Sequence, residues 1–150
     1  IGEPYDFIIA DCPPNLGMLA LNAAIACPEI LIPVELAPLA MAGALSLRRY
    51  LDEVREDSQE KLRVMGVLGT FYAEGEKKPR EALELLTKIF GDKLFATHIH
   101  ESAATRDASG QGAPVILRKP KDRAALEYSK VVDEVLSRGA PTSGKEVPRG

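Results

Sequence analysis

Tyr5-Asp6-Phe7-Ile8-Ile9-Ala10-Asp11-Cys12-Pro13-Pro14 is the stretch on which the reading of this chain turns. A short apolar run, Phe7 to Ala10, leads straight into an aspartate and then into a double proline. Such an unbroken run reads as a strand buried on both faces, the mark of a parallel sheet. The prolines end it at once, since proline has no N–H to give to a ladder. Asp11 is thereby delivered to the C-terminal edge of the sheet, where open α/β sheets bind their ligands.

Outward from this strand, helix and strand alternate. Residues 16–26 are rich in Ala and Leu and predict a helix. Residues 30–34 predict a second strand, closed by Pro33 and Glu35. A long helix is expected over 40–57, with Leu47, Leu51 and Val54 marking its inner face at i, i+4 and i+7. A third strand follows at 64–71, then a charged loop at 73–80. Residues 81–90 predict a helix with Ala82, Leu85, Leu86, Ile89 and Phe90 turned inward. A short strand is expected at 94–99, and a small, polar loop with one helical turn at 100–113. The closing helix, 122–137, carries Tyr128, Val131, Val132, Val135 and Leu136 on one face. Residues 139–150 are rich in Gly, Pro, Ser and Lys and predict a disordered tail.

This alternation implies βαβ crossovers, hence a three-layer α/β/α domain over residues 1–138 with a mostly parallel sheet. The first strand is expected to be central, with neighbours on both sides. It stands at the very start of a chain that opens on Ile1 rather than Met, so the sequence reads as a piece of a longer protein.

Composition bounds the function only loosely. A chain of 150 residues suits one domain, and 45% hydrophobic content is ordinary for a globular one. A net charge of −3 gives no global pull toward nucleic acid, although a local basic patch is compatible with it. Cys12 and Cys27 have no C-x-x-C spacing and fit a reducing cytosol. No apolar run reaches the roughly 18 residues that span a bilayer, and no signal peptide is visible.

The residues also resemble a family. Asp11-Cys12-Pro13-Pro14-x-Leu16-Gly17-x-Leu19, then Asn22-Ala23, Leu31-Ile32-Pro33-Val34 and Gly43 come first. Gly66-Val67-Leu68-x-Thr70-x-Tyr72, Phe90 to Phe95, Gly112-x-Pro114-Val115 and Ala125-x-x-Tyr128 continue the order. Together they resemble the second half of the ParA/MinD-type deviant Walker (SIMIBI-class) ATPases, and the Asp-Cys-Pro-Pro segment points to the ParA branch. The resemblance implies a P-loop NTPase fold whose phosphate loop lies upstream. No G-x-x-x-x-G-K-[ST] motif occurs in these 150 residues. It further implies ATP and Mg²⁺ as cofactors, a homodimer sandwiching the nucleotide, non-specific DNA as track and a ParB-like or cargo adaptor as partner. The implied activity is ATP hydrolysis by in-line attack of water, coupled to chromosome or plasmid partitioning in the cytoplasm on the nucleoid. The chain alone, without the phosphate cradle, is expected to be inactive.

Carried over residue by residue, Asp11 matches the Walker B aspartate that holds Mg²⁺. By itself it reads equally as a cap of the following turn. Pro13 and Pro14 match a wall beside the γ-phosphate, or serve as turn residues. Asn22 either bonds the phosphate-side loop or satisfies a local backbone group. Thr70 and Tyr72 fall near the base in the family. The family's base loop reads Ile-Pro-Arg with a later Glu-Ala, whereas this chain has Ile99-His100-Glu101 and Asp107-Ala108. His100 thus takes the place of proline, Glu101 that of arginine, and Asp107 that of glutamate. Asp107 either accepts from an exocyclic amine or is a solvated loop acid. His98 and His100 share one strand face and read as a surface pair rather than a metal site.

For DNA, the best candidates are Arg118, Lys119, Lys121 and Arg123. Arg48, Arg49, Lys77, Lys78, Arg80 and Arg106 are interleaved with acids. No terminal amphipathic helix with basic and apolar faces is present, which argues against membrane targeting of the MinD kind. Two alternatives stay open. One is a non-catalytic ParA-like interaction module, kept alive by the altered 100–107 loop and by Ala73-Glu74-Gly75 where the family has Asp-x-Arg. The other is a MinD-like, amidoligase or metallochaperone ATPase with the same half-fold. A central strand lacking neighbours also predicts that the chain aggregates, dimerises or binds chaperones.

Overall fold

The computed structural model describes residues 6–13, 17–27, 29–37, 63–139 and, between them, Gly43, Leu45, Ser46, Arg48, Arg49 and Asp52. Two strands, β1 (Glu29–Glu35) and β2 (Arg63–Thr70), pair in parallel. Their register runs from Glu29 opposite Arg63 to Glu35 opposite Thr70, with one irregularity between Ile30 and Leu31. The helices are α1 (Met18–Ala26), α2 (Lys77–Phe90), α3 (Ala103–Gly110), α4 (Val115–Arg118) and α5 (Arg123–Gly139). A single 3₁₀ turn, Gly91–Lys93, follows α2.

The layering is set by two consecutive residues of β2. Val67 is fully buried and packs with Ile32, Val34 and Leu36 and with Ala82 and Leu86 of α2. Leu68 points to the opposite face and packs with Phe95, Ile99 and Val131 of α5. One strand thus buries alternate side chains against helices on either side, the three-layer α/β arrangement expected. A third cluster, Ala104, Ala108, Val115 and Ala125, closes α3 and α4 onto α5.

Local chemistry accounts for the helix ends. Pro79 sits in the first turn of α2, where a missing N–H costs nothing, and Gly91, at φ +54°, stops the helix. Ser102 caps α3 by accepting from Ala104 N at 3.1 Å. Asp122 caps α5 by accepting from Ala124 N at 2.9 Å, and its Oδ1 also takes the Ser102 hydroxyl at 3.2 Å. Two helix starts are thereby tied together. At the far end of α5, Arg138 donates to the carbonyls of Met65, Asp92, Lys93 and Leu94 at 3.0–3.2 Å and lies 4.2 Å over the Phe95 ring.

Several sequence expectations are corrected. Residues 6–10 are not a buried strand: Phe7, Ile8 and Ile9 are 52%, 71% and 90% exposed. An extended segment becomes a strand only when another edge pairs with it, and among the described residues none does. The 94–99 strand is reduced to two bridges with β2 and its extension, Val67–Leu94 and Tyr72–His100. Phe95 N donates to Val67 O at 2.8 Å and Ile99 N to Gly69 O at 2.9 Å. Between them the N–H groups of Ala96 and Thr97 go to the Glu134 carboxylate of α5, at 3.0 and 2.8 Å, and the ladder is interrupted. The 100–113 segment carries a helix of eight residues, not one turn, because Ser102 supplies a cap and Ala103-Ala104 follow it.

The inner face of α5 is also shifted. Val131 is buried and Val135 half-buried, but Tyr128, Val132 and Leu136 are exposed. Glu127, Glu134 and Arg138 take the inward places because they serve backbone groups of 94–100. The remaining expectations, for 16–26, 30–34, 64–71 and 81–90, correspond to α1, β1, β2 and α2 within a few residues. The described positions between 43 and 52 are helical. Leu47, Leu51, Val54, Pro14 and the tail from 140 onward lie outside the described residues.

Pro33 lies within β1, opposite Leu68. Leu36 N donates across to Thr70 O at 2.9 Å. Three residues earlier the backbone faces the other way, so the nitrogen of Pro33 lies on the edge turned away from β2.

Candidate functional site

The site is built where β2 ends. Thr70 is its last residue, and its carbonyl is taken by Leu36 N. Phe71 then adopts φ +54°, a left-handed conformation rare for an aromatic residue. The kink turns Tyr72 toward the 94–100 segment, where Tyr72 N donates to Ile99 O at 3.0 Å and Glu101 N to Tyr72 O at 3.2 Å. Strain of this kind persists only where the surroundings hold it, and it gathers at functional sites.

The Tyr72 ring meets two imidazoles edge-on. Its centroid is 4.6 Å from His98 and 4.9 Å from His100, and the histidines are 5.2 Å apart. The two do share a face, as their spacing predicts. His100 is nevertheless no surface residue, with its side chain only 10% exposed. Burial holds His98 below the usual histidine range, and the neighbouring His100 adds to this.

Arg123 organises what surrounds them. Its Nε donates to Glu127 Oε1 at 2.9 Å and its Nη1 to Glu74 Oε2 at 2.5 Å. Nη2 lies 2.6 Å from His100 Nε2. Guanidinium only donates, so His100 Nε2 accepts and the ring carries its proton on Nδ1. That Nδ1 lies 2.6 Å from Glu127 Oε1, but without the alignment of a hydrogen bond, so the contact is electrostatic. Glu127 Oε2 accepts from His100 N at 2.9 Å. The hydrogen bond and charge of Arg123 pull the Glu74 carboxyl below its ordinary range, while Glu74 first and Glu127 second push Arg123 upward.

These groups border an open cleft of about 310 Å³. Tyr72, Ala73 and Glu74 form one side, His100 and Glu101 the other, and Arg106 and Arg123 complete it. Glu101 and Arg106 pair across 2.7 Å. The lining combines an aromatic face with convergent donors and acceptors, which suits a flat heteroaromatic ligand. Its two acids, Glu74 and Glu101, are matched by two arginines, Arg106 and Arg123, so it offers no excess of positive charge to a phosphate.

Of the residues singled out in the sequence, Tyr72 and His100 meet in this cleft. Thr70 and Asp107 are not in its lining. Asp107 lies on α3 and pairs with Lys119 at 3.1 Å, so it is neither unpaired nor in a loop. Asp11 and Pro13 are exposed on the extended segment, and Asn22 is exposed on α1. Among the described residues no cluster of three metal-ligating side chains occurs. Asp11 offers a hard carboxylate oxygen of the kind that Mg²⁺ takes, and Mg²⁺ needs few protein ligands when phosphates supply the rest. Of the basic candidates, Arg118 is bonded to Gln111, Lys119 to Asp107 and Arg123 to the cleft acids, while Lys121 is exposed. Neither Glu74, in the lining, nor Glu127, which bonds Arg123 and His100 N behind it, was legible as part of the site. The one signal for Glu127 was its i, i+4 spacing from Arg123.

Comparison with known proteins points the same way as the sequence motifs. A family model described as an AAA domain matches residues 1–64. The chromosome-partitioning ATPase Soj of Treponema pallidum is 31% identical over 138 residues, covering 92% of this chain and 54% of the relative. The sporulation initiation inhibitor protein Soj of Bacillus subtilis is 32% identical over 139 residues, covering 93% and 55%. The crystal structure of the cell division ATPase MinD of Pyrococcus furiosus superimposes with a TM-score of 0.66 at 21% identity, over 89% of this chain and 52% of that one. The likeness to MinD shows the α/β fold of P-loop ATPases. The chain spans about half the length of the curated relatives it matches. Among the described residues no helix is long and apolar enough to cross a membrane. The ordered motifs, the fold and the relatives agree: over most of its length this chain is similar to the ParA/MinD-type ATPases.

Proposed function

We propose that residues 1–138 are part of the ATPase domain of a ParA-type protein that couples Mg-ATP binding and hydrolysis to dimerisation and to partitioning of chromosomes or plasmids. The observation that carries this reading is the match to Soj across nine-tenths of the chain. Asp11 would hold Mg²⁺ beside the terminal phosphates, and the ion would neutralise charge there. Pro13 and Pro14 would wall that side, with Asn22 behind them. Tyr72 and His100 would receive the base in the cleft, with Thr70 and Asp107 next to it rather than in contact. The partners are a second copy, non-specific DNA through Lys121 and its neighbours Arg118 and Lys119, and a ParB-like or cargo adaptor. The place of action is the nucleoid in the cytoplasm.

The test uses a protein carrying both this sequence and a phosphate loop. ATP binding should require Mg²⁺, and Asp11→Ala should lower hydrolysis on the order of a hundredfold. Hydrolysis unchanged by Asp11→Ala would overturn the assignment. The Glu101–Arg106 pair at the cleft, which stands where the family has arginine, favours one alternative, a non-catalytic interaction module. That module would bind the partner protein with no dependence on nucleotide.

A further inference from the structure

We propose that Arg123, His100 and Glu74 form a proton-operated latch on the cleft, in which neutral His100 holds the guanidinium and protonated His100 turns it out by taking Glu74 in its place. The inference rests on the cleft being the base site, and it names a regulation of that site.

The geometry leaves little choice. Arg123 Nη2 and His100 Nε2 are 2.6 Å apart, and the contact holds only while Nε2 keeps its lone pair. A proton on Nε2 sets two donors, both positive, against each other at that distance. Glu74 Oε2 stands 4.0 Å from the same Nε2, a carboxylate acceptor within reach of a small rotation. Glu74 also takes Arg123 Nη1, so the ring and the guanidinium compete for one carboxylate. The groups facing His100 are few. Tyr72 and Glu74 come from the turn after β2, His98 from its own segment, and Arg123 and Glu127 from α5. Glu127 Oε1, 2.6 Å from Nδ1, attracts the charge that the ring gains on protonation, and it does so without drawing on Glu74. His98 is held neutral to lower pH than usual by its burial, and it is His100 whose Nε2 meets the guanidinium. When the latch opens, Arg123 keeps Glu127 through Nε and swings its terminal nitrogens into the cleft. The guanidinium that already borders the cleft is thereby freed from His100, and turns toward a ligand there, as pH falls.

The experiment is an imidazole nitrogen NMR titration of the full 150-residue chain, from about pH 8 to about pH 5, the span in which histidine changes charge. At the alkaline end His100 should show the Nδ1–H tautomer. The Arg123 Nε signal and the amides of 73–76 should then move with the same midpoint as the His100 ring. Below that midpoint the latched population should fall about tenfold per pH unit. His100→Gln, whose side-chain oxygen accepts from Arg123 but takes up no proton, should abolish the Arg123 response. An Nε2–H tautomer at high pH, or an Arg123 response that survives in His100→Gln, overturns the latch. The wild-type tautomer decides the matter alone if the variant does not fold. Adenosine added at both ends of the titration tests the cleft separately: a latch that titrates normally while adenosine leaves Tyr72 unmoved sinks the base reading and not the latch.

Discussion

Glu127 shows how much one side chain can organise. It is buried, and its two oxygens serve a backbone N–H, a guanidinium and an imidazole edge. Glu127→Ala leaves the His100 N–H without its acceptor and takes from Arg123 one of its two carboxylates; an unmatched buried N–H costs about 1–3 kcal/mol, to be read as a lowered urea midpoint. Glu127→Gln keeps an acceptor for His100 N and should lose less. His98 supplies the acid sensitivity. Its folded-state pKa lies below the ordinary histidine value of 6.5, so as pH falls the unfolded chain takes up the proton first. Its contribution is complete above about pH 6.5 and is lost as the pH drops through the lowered value. Urea melts across that window should slope for the wild type and flatten for His98→Asn; equal slopes would refute the assignment. None of this was legible in the sequence, where the pair His98 and His100 reads as surface. Their burial depends on Tyr72 and Arg123, which are distant in sequence.

At the scale of elements, α1, α2, β1 and β2 were legible because apolar periodicity and punctuation agree there. The Gly91 stop and the Pro79 start of α2 are local chemistry, and local chemistry can be read from a line of letters. The 94–100 segment was misread for the opposite reason. Its N–H groups are claimed by Glu134, a residue of α5. Burial works against ionisation of Glu134, but the bonds from Thr97 and Ala96 outweigh it and its pKa is lowered. The charged carboxylate therefore stabilises the fold above about pH 4.5, and the gain disappears as pH falls through the depressed value. Glu134→Gln should remove that second, more acidic inflection and speed hydrogen exchange at Ala96 and Thr97. Nearby, Gly66 is fixed by space rather than by backbone angle. A Cβ there would lie 2.1 Å from Phe95 Cε2 and 3.0 Å from the Lys93 carbonyl oxygen. Gly66→Ala should cost about 1–3 kcal/mol by overpacking; a melt within experimental error of wild type would show that Phe95 swings freely.

At the scale of the whole molecule the inequality between the two ends stands out. Residues from Ile32 onward pack three small clusters, while Phe7, Ile8, Ile9, Met18, Leu19 and Ile25 are exposed, and α1 buries no residue. A helix apolar on all sides belongs in an interior. The chain by itself should self-associate, visible as a concentration-dependent mass by light scattering, and Ile9→Lys should raise the monomer fraction. A sharp monomeric melt of the wild type would count against it. The fold class was legible at this scale because α/β alternation survives the loss of any one strand. The placement of residues 6–10 was not, because a strand is a property of a pair.

Pro33 decides what form that association takes. A strand approaching the outer edge of β1 finds a ring where a donor should be, and the ladder it would found is one bond short in the middle. Edges that fail in this way do not template copies of themselves. Clusters of this chain should therefore be finite and reversible on dilution, held by side chains, without seeded growth or the dye binding of stacked cross-β fibrils.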